Sequence, residues 1–238
     1  MTNKSGKLYL IPTTLGESNP LDVLPIQVKY IIDRINTYIV ENEKTTRRFI
    51  KQITPEKSQP GLNLFVLNKH TEPQDLPNFL EPCLQGEDIG LISEAGCPAI
   101  ADPGADIVKL AHDKNIQVVP LVGPSSILLA VMSSGMTGQS FAFNGYLPID
   151  KHDRKKELVR LERLSQQQNQ SQLFIETPYR NNAMLEDICK TLQDQTLVCI
   201  ACDITLQTEF IKTKSVKEWK KNSADLHKRP ALFIIYKS

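Results

Sequence analysis

Short apolar runs alternate along most of the chain with longer segments in which apolar residues recur at helical spacing. This alternation is typical of an α/β protein. The apolar runs predict strands at residues 8–11, 38–40, 64–67, 89–93, 118–122, 141–146, 173–176, 197–202, 208–211 and 231–236.

Helical periodicity fills most of the intervals between these strands. Leu76, Phe79, Leu80 and Cys83 share one face of a predicted helix, and residues 153–167 place leucines on one side and basic residues on the other. The segment 126–134 is so uniformly apolar that we expect it to be buried on nearly every side.

The lengths of the connections predict two domains. Helices separate most strands of the first half, which favours parallel pairing, whereas residues 208–231 leave little room for crossovers and favour antiparallel pairs. We therefore expect an α/β domain at residues 1–122 with a mainly parallel sheet and another at 123–238 with a mixed sheet. Gly123-Pro124 is a suitable boundary because a glycine turn lets the chain leave the first sheet.

Charge and composition narrow the classes of function. The 28 Lys and Arg residues balance 27 Asp and Glu residues, so a surface that is basic throughout, made for nucleic acid, is excluded. The charge is uneven, however: net −3 before Val122 and net +4 after it, so the second half is the one suited to phosphate. The basic clusters at 151–156, in the second half, and at 44–48, in the first, are candidate phosphate contacts, although a solvated helix face explains each equally well.

Location and metal content follow from what the composition lacks. No apolar run approaches the roughly 20 residues needed to cross a bilayer, which predicts a cytoplasmic protein without membrane contact. An odd number of cysteines, five, fits reduced thiols. Cys199 and Cys202 lie in an alternating strand pattern without a second Cys/His pair, so no metal is predicted.

Loops that follow several strands carry the densest pattern of small and turn-forming residues. Residues 89–104 form a strand that ends in Ser93-Glu94-Ala95-Gly96, followed by an Asp102-Pro103-Gly104 turn. At the carboxyl end of a parallel strand, such a loop exposes backbone groups, and Gly96 would let a flat ligand approach closely. A tight connection with Asp102 capping the next helix is an equally good interpretation.

Proline-bearing loops recur elsewhere in the chain, after the strands that end near Ile11, Val122 and Glu176. They predict one shared crevice, although the hydroxyls of Ser125 and Ser126 are more simply explained as helix caps. The four histidines show no ligand spacing, and no Gly-x-Ser-x-Gly motif is present. Chemistry that depends on positioning fits this pattern better than chemistry that needs a strong base.

Six ordered segments resemble those of the tetrapyrrole (corrin/porphyrin) methylase family, and most of all its ribosomal-RNA branch, the small-subunit cytidine 2′-O-methyltransferases. They span almost the whole chain: residues 8–13, 40–47, 92–104, 119–126, 143–148 and 174–180.

The resemblance implies a homodimer of chains with two α/β domains, and S-adenosyl-L-methionine folded into the cleft between those domains. Transferred by position, the residues around the cofactor would be Pro12, Ser93, Glu94, Ala95, Gly96, Ser125, Ser126, Thr177, Pro178, Ala231 and Leu232. Glu41 and Glu94 are the carboxylates best placed by motif to orient a ribose hydroxyl or accept its proton, although each could equally be a plain surface acid.

Three hypotheses follow for the function. The first is 2′-O-methylation of a ribose in small-subunit ribosomal RNA, with the RNA or the subunit as substrate. The second is methylation of a corrin or porphyrin precursor or of another small molecule. The third is a catalytically silent cofactor-binding homologue, suggested by departures from the branch pattern at Asn42, Lys44, Cys202 and Pro230.

Overall fold

The computed structural model describes residues 5–68 and 70–238. The chain divides into two compact units, the first ending at Ser125 and the second running from Ser126 to Ser238. The domain boundary expected after Val122 stays a prediction.

The first unit alternates strands and helices. Its elements are β1 (Lys7–Ile11), a 3-10 turn (Pro20–Asp22), α1 (Ile26–Arg34), β2 (Thr37–Val40), α2 (Glu43–Ile53), β3 (Asn63–Val66), a second 3-10 turn (Pro73–Asp75), α3 (Leu76–Phe79), α4 (Glu81–Leu84), β4 (Ile89–Ile92), α5 (Gly104–Asp113) and β5 (Gln117–Pro120).

A five-stranded sheet with the order β3-β2-β4-β1-β5 forms the centre of this unit. Its four strand pairs are parallel, with Leu8 of β1 opposite Ile89 of β4. Every residue of β2 and β4 is buried, as expected for parallel strands covered on both faces. The carboxyl ends of the strands therefore lie at one edge of the sheet, where the loops after β1, β2, β4 and β5 begin.

The helix expected around Leu76 and Cys83 is two short helices, α3 and α4, because prolines interrupt it. Pro82 lacks a backbone N–H and its ring would clash with the carbonyl one turn earlier, so α3 ends at Phe79 and α4 begins at Glu81. The predicted face is nevertheless buried, since Leu80 and Cys83 are fully covered.

The second unit has a mixed sheet. Its elements are α6 (Ser126–Ser134), β6 (Phe141–Tyr146), α7 (Lys151–Gln168), β7 (Ser171–Ile175), α8 (Asn181–Thr191), β8 (Leu197–Cys202), β9 (Phe210–Ser215), α9 (Val216–Lys221) and β10 (Ala231–Tyr236). The strand order is β6-β7-β10-β8-β9, in which β6 and β7 are parallel and the other pairs are antiparallel. The α/β class predicted from the alternating pattern is confirmed.

Aromatic packing fills the core of this second unit. The rings of Phe174 on β7 and Phe233 on β10 stack with centroids 5.7 Å apart. Trp219 on α9 is almost fully buried, and its indole N–H donates to the backbone carbonyl of Val198 at 2.9 Å. The indole thus joins α9 to β8 without leaving a buried donor unpaired.

The expectation that α6 is buried on nearly every side is wrong. Ala130 and Val131 are buried, but Leu128 and Met132 are 53% and 78% exposed. The helix packs against β9 and β10 with one face only. A uniformly apolar helix carries no periodic signal to indicate which face turns inward. The prediction from the sequence therefore overestimated how much of α6 is buried. Among the described residues, no helix is both long and apolar enough to cross a membrane.

Arg154, one of the basic residues expected to contact phosphate, is part of the core instead. Its guanidinium lies 2.9 Å and 2.5 Å from one carboxylate oxygen of Asp187 on α8, and it also donates to the carbonyl of Ile149 at 2.7 Å. Both side chains are largely buried. Lys151 and Lys156 of the same cluster are exposed but lie near Asp187 and Asp153.

We expect Arg154→Ala to lower the free energy of unfolding by about 3–5 kcal/mol, because it leaves the buried Asp187 carboxylate without its partner. Chemical denaturation monitored by far-UV circular dichroism measures this change. Lys156→Ala on the same helix is the matched control and should stay within about 0.5 kcal/mol of wild type, since its ion pair is exposed. A loss below about 1 kcal/mol for Arg154→Ala would contradict the structural role.

Candidate functional site at the carboxyl edge of the parallel sheet

Backbone hydrogen bonding joins the loops that follow β1 and β4. The N–H of Thr13 donates to the carbonyl of Gly96 at 2.9 Å, and the Thr13 hydroxyl lies 3.4 Å from the carbonyl of Ser93. Because β1 and β4 are neighbours in the sheet, the structure brings Pro12 together with the Ser93–Gly96 loop predicted from the sequence.

The loop after β5 lies against the same place. A β-carbon built on Gly123 would lie 2.3 Å from two side-chain carbons of Pro12, closer than any real contact. Glycine is therefore required where the loops after β1 and β5 meet.

Gly96 has a structural reason of its own. Its φ of +72° lies in the left-handed region, and a β-carbon there would lie 3.1 Å from the Leu15 side chain and 3.4 Å from the Pro124 carbonyl. Glycine is thus favoured at this position by its backbone conformation and by the close neighbours of a β-carbon there. Contact between Gly96 and a cofactor stays a prediction.

The loop that continues from Gly96 is strained and is tied down by one carboxylate. Ala99 and Ala101 have φ values of 66° and 62°, which non-glycine residues rarely adopt. The Asp102 carboxylate accepts the N–H of Ala99 at 3.0 Å and that of Gly104 at 2.7 Å. Burial raises the pKa of Asp102, and these two hydrogen bonds oppose that rise. Asp102 thus bonds the first N–H of α5, while the N-cap position itself is Pro103, so the structure shows the tight connection without deciding against a ligand at this loop.

Glu41, which follows β2, is joined to the loop after β4. Its carboxylate accepts the backbone N–H of Glu94 at 3.0 Å. Burial raises the pKa of Glu41, and the nearby Asp102 and Glu94 carboxylates add to the rise while the hydrogen bond from Glu94 opposes it. The structure therefore brings the two predicted carboxylates together but gives them different surroundings: Glu41 is half-buried and Glu94 is exposed.

The loops after β1 and β4, together with α2, line an open pocket of about 250 Å³. Thr13, Thr45, Ser93 and Glu94 supply hydroxyl and carboxylate groups to it, and Arg48 lies at its wall. Arg48 is 62% exposed and approaches Glu17 at 3.4 Å. The sequence alone did not indicate Thr13 or Thr45 as individual site residues, although both lie within the segments that carry the family resemblance. Arg48 was expected only as part of the basic cluster at 44–48.

The remaining predicted cofactor residues belong to the second unit, apart from Ser125 at the end of the first. Ser126 is the first residue of α6. Thr177 and Pro178 follow the end of β7, and Leu232 of β10 lies opposite Ile175, the last residue of β7. The start of β10, with Ala231 and Leu232, therefore lies at the end of the sheet where the Thr177–Pro178 turn begins. The N–H of Lys228 donates to the Pro178 carbonyl at 3.1 Å, which ties the two segments together.

A buried carboxylate fixes the turn after β7. Glu176 accepts the N–H of Thr177 and the guanidinium of Arg180, both at 2.6 Å. The Glu176 side chain is only 2% exposed. The buried Glu176 carboxylate and Arg180 therefore fix the backbone of the Thr177–Pro178 turn from the protein interior.

No group of three or more His, Cys, Asp or Glu in residues 5–68 and 70–238 is arranged to hold a metal ion. Burial raises the pKa of the Cys97 thiol and raises that of Cys202 to about 11, so both are protonated at neutral pH.

Comparison with known proteins supplies relatives along nearly the whole chain. The chain is 31% identical over 208 residues to a protein of Bacillus subtilis named ribosomal RNA small subunit methyltransferase I, covering 87% of this chain and 67% of the relative. Proteins of the same name from Escherichia coli O157:H7 and Buchnera aphidicola are 29% and 28% identical, each over 98% of this chain and 78% and 79% of their own lengths.

The chain belongs to the tetrapyrrole methylase family. Within this family its sequence relatives carry the ribosomal RNA small subunit methyltransferase I name, which confirms the predicted resemblance. No protein-family model matches the chain.

Solved structures of the family have the same fold. The methyltransferase CobJ has a TM-score of 0.63 at 14% identity and covers 98% of this chain and 100% of its own. The cobalt precorrin-4 methyltransferase CbiF has a TM-score of 0.60 at 12% identity and covers 97% and 94%. At these identities, the likeness establishes the fold alone.

We expect Gly123→Ala to destabilise the first unit by about 1–3 kcal/mol, because the new methyl group must displace Pro12 and the loop after β1. Denaturant unfolding measures the change. Gly61→Ala is the matched control: its β-carbon would have ordinary contacts of 3.8 Å or more, so it should leave the stability unchanged or slightly raised. Equal stability for both variants would show that the Pro12 contact is not tight.

Proposed function

We propose that this protein is an S-adenosyl-L-methionine-dependent methyltransferase that methylates a ribose 2′-hydroxyl in small-subunit ribosomal RNA. One observation carries the proposal: relatives matched over 87–98% of this chain are named for that ribosomal RNA methyltransferase. The cytoplasm, where ribosomal RNA is found, is the proposed location.

The residues around the first sheet's carboxyl edge fit this cofactor. It carries ribose hydroxyls, an amino-acid end and a positively charged sulfur. The exposed Glu94 carboxylate suits positive or hydroxyl groups, and the small exposed Ala95 leaves room beside the backbone. Pro12 and Gly96 would act by shaping the loops, as their contacts with Gly123 and Thr13 indicate. Ser93, Ser125, Ser126, Thr177, Pro178, Ala231 and Leu232 complete the proposed set.

For this reaction the protein must mainly align the reacting groups and exclude water. When bound, S-adenosyl-L-methionine would supply an activated methyl group on a sulfonium, with a neutral thioether as the leaving group. The chain's residues must place that oxygen in line with the methyl carbon and sulfur, and one group must accept the hydroxyl proton. No strong base is needed, in agreement with a site that offers carboxylates and hydroxyls.

We assign the two carboxylates different roles. Glu94 is exposed beside the pocket, so its carboxylate can reach a ribose hydroxyl. Glu41 already accepts the Glu94 N–H, and its half-buried position leaves it less accessible. Glu94 is thus the proposed proton acceptor, and Glu41 is a positioning residue that fixes the Glu94 backbone.

Transfer of labelled methyl tests the function. With S-adenosylmethionine labelled on the methyl group, we expect label on small-subunit ribosomal RNA and protection of one phosphodiester bond from alkaline hydrolysis, because a methylated 2′-oxygen cannot attack it. Label on a porphyrinoid with none on RNA would instead support the alternative substrate class. Cofactor binding by calorimetry without transfer to either would support a silent homologue.

The same assay separates the two carboxylates. We expect Glu94→Gln to lower kcat about 100-fold or more at saturating cofactor. Glu41→Gln should largely retain kcat, because the glutamine oxygen can still accept the Glu94 N–H. A loss for Glu41→Gln as large as that for Glu94→Gln would contradict the assignment of Glu41 as a positioning residue.

We also propose that the protein is a homodimer. Large apolar side chains are exposed in the second unit, among them Met132, Tyr146 and Ile149 at 78%, 59% and 72%. Exposed apolar surface of this kind is typical of protein–protein contacts.

Sedimentation should give twice the 26.8 kDa mass of the chain, and Met132→Lys should shift the protein towards the single-chain mass. Lys156→Glu, a charge change at an exposed position outside the apolar side chains, is the control. A single-chain mass for wild type at micromolar concentration would contradict the dimer.

A further inference from the structure

One exposed aromatic side chain of the second unit is not used by the proposed chemistry. Tyr179 follows the Thr177–Pro178 turn and is 71% exposed. Its ring meets the His227 ring edge-on with centroids 6.2 Å apart, and the Lys228 ammonium lies over the ring at 5.9 Å from its centroid. We call these three residues the Tyr179 platform.

The platform is held in place by buried and polar contacts rather than by its own packing. Asn181 is fully buried, and its amide donates to the Arg229 carbonyl at 2.6 Å. The Asn182 amide bonds to Asp225 at 2.9 Å and accepts the N–H of Leu226 at 2.7 Å. The start of α8 thus clamps the segment that carries His227 and Lys228, so a ligand would meet a preformed surface.

Among the residues that the structure describes, two of the three cationic side chains near the platform are paired with carboxylates, and the third is not. Arg180 and Arg229 are paired with Glu176 and Asp203 at 2.6 Å and 2.8 Å. In the described part of the chain no salt bridge involves Lys228, whose ammonium accompanies the Tyr179 ring. Asp225, the carboxylate next to the platform, already accepts hydrogen bonds from Asn182 and from the His227 backbone. An exposed ring beside a cation that lacks a carboxylate partner suits a base attached to a phosphate backbone.

We propose that Tyr179 stacks on an unpaired base of the RNA substrate, next to the nucleotide that is methylated. The inference rests on the proposed function and adds a contact to it. Unpaired bases in RNA are commonly bound by stacking on aromatic side chains with a neighbouring cation. The location fits, because Tyr179 directly follows Thr177 and Pro178, two residues of the proposed cofactor set.

Binding of a fluorescein-labelled single-stranded oligoribonucleotide from the methylated segment tests the platform. In fluorescence anisotropy at saturating S-adenosylmethionine, Tyr179→Ala should weaken binding about tenfold, whereas Tyr179→Phe should bind as wild type does. Because stacking is not a phosphate contact, the ratio between wild type and Tyr179→Ala should stay constant between 50 and 200 mM salt.

Controls separate stacking from other causes. Tyr30→Ala removes a tyrosine that is 62% exposed on α1 and should leave RNA binding unchanged. Calorimetry should give the same cofactor affinity for Tyr179→Ala and wild type. A cofactor affinity lowered in parallel would overturn the proposal, since the ring would then stack on the cofactor's adenine.

Two further outcomes tell this inference apart from the proposed function. Wild type that methylates RNA while Tyr179→Ala binds the oligonucleotide equally well overturns the platform alone. Wild type that neither binds nor methylates RNA overturns both.

Discussion

The candidate site depends on one constraint: the loops that leave the carboxyl edge of the parallel sheet are bonded to one another. The Thr13 N–H bonded to the Gly96 carbonyl and the contact of Gly123 with Pro12 fix three loops from distant parts of the sequence. Glu41 adds a fourth segment through the Glu94 N–H. The exposed groups of these loops, Glu94 above all, are consequently held where a ligand can use them.

Sequence predicted the strands well because short apolar runs leave few alternatives. The limits of β6, β8 and β10 agree with the predicted runs residue for residue. The limits and the burial of the helices were predicted less well. Prolines divided the predicted helix around Leu76 and Cys83, and the uniform apolar composition of α6 hid that Met132 faces outward. Side-chain pairing across elements, such as Arg154 with Asp187, leaves no periodic signal at all.

The candidate site was predictable only as a set of loops. Sequence motifs selected the Ser93–Gly96 loop, but they did not show that Leu15 and Pro124 lie close to where a β-carbon on Gly96 would be. One departure from the branch pattern also becomes intelligible. The Asn42 side chain caps α2 by accepting hydrogen bonds from the N–H groups of Lys44 and Thr45 at 2.9 Å and 3.2 Å. An aspartate, the residue of the branch pattern at this position, would cap the helix in the same way. This departure therefore gives no reason to expect a silent homologue.

Amide hydrogen exchange with and without S-adenosylmethionine tests the central claim most directly. If the loops after β1 and β4 hold the cofactor, amides at residues 13–16 and 93–97 should exchange more slowly in its presence, while those of β3 keep their rates. Measurable binding heat with unchanged exchange at both loops would contradict the account.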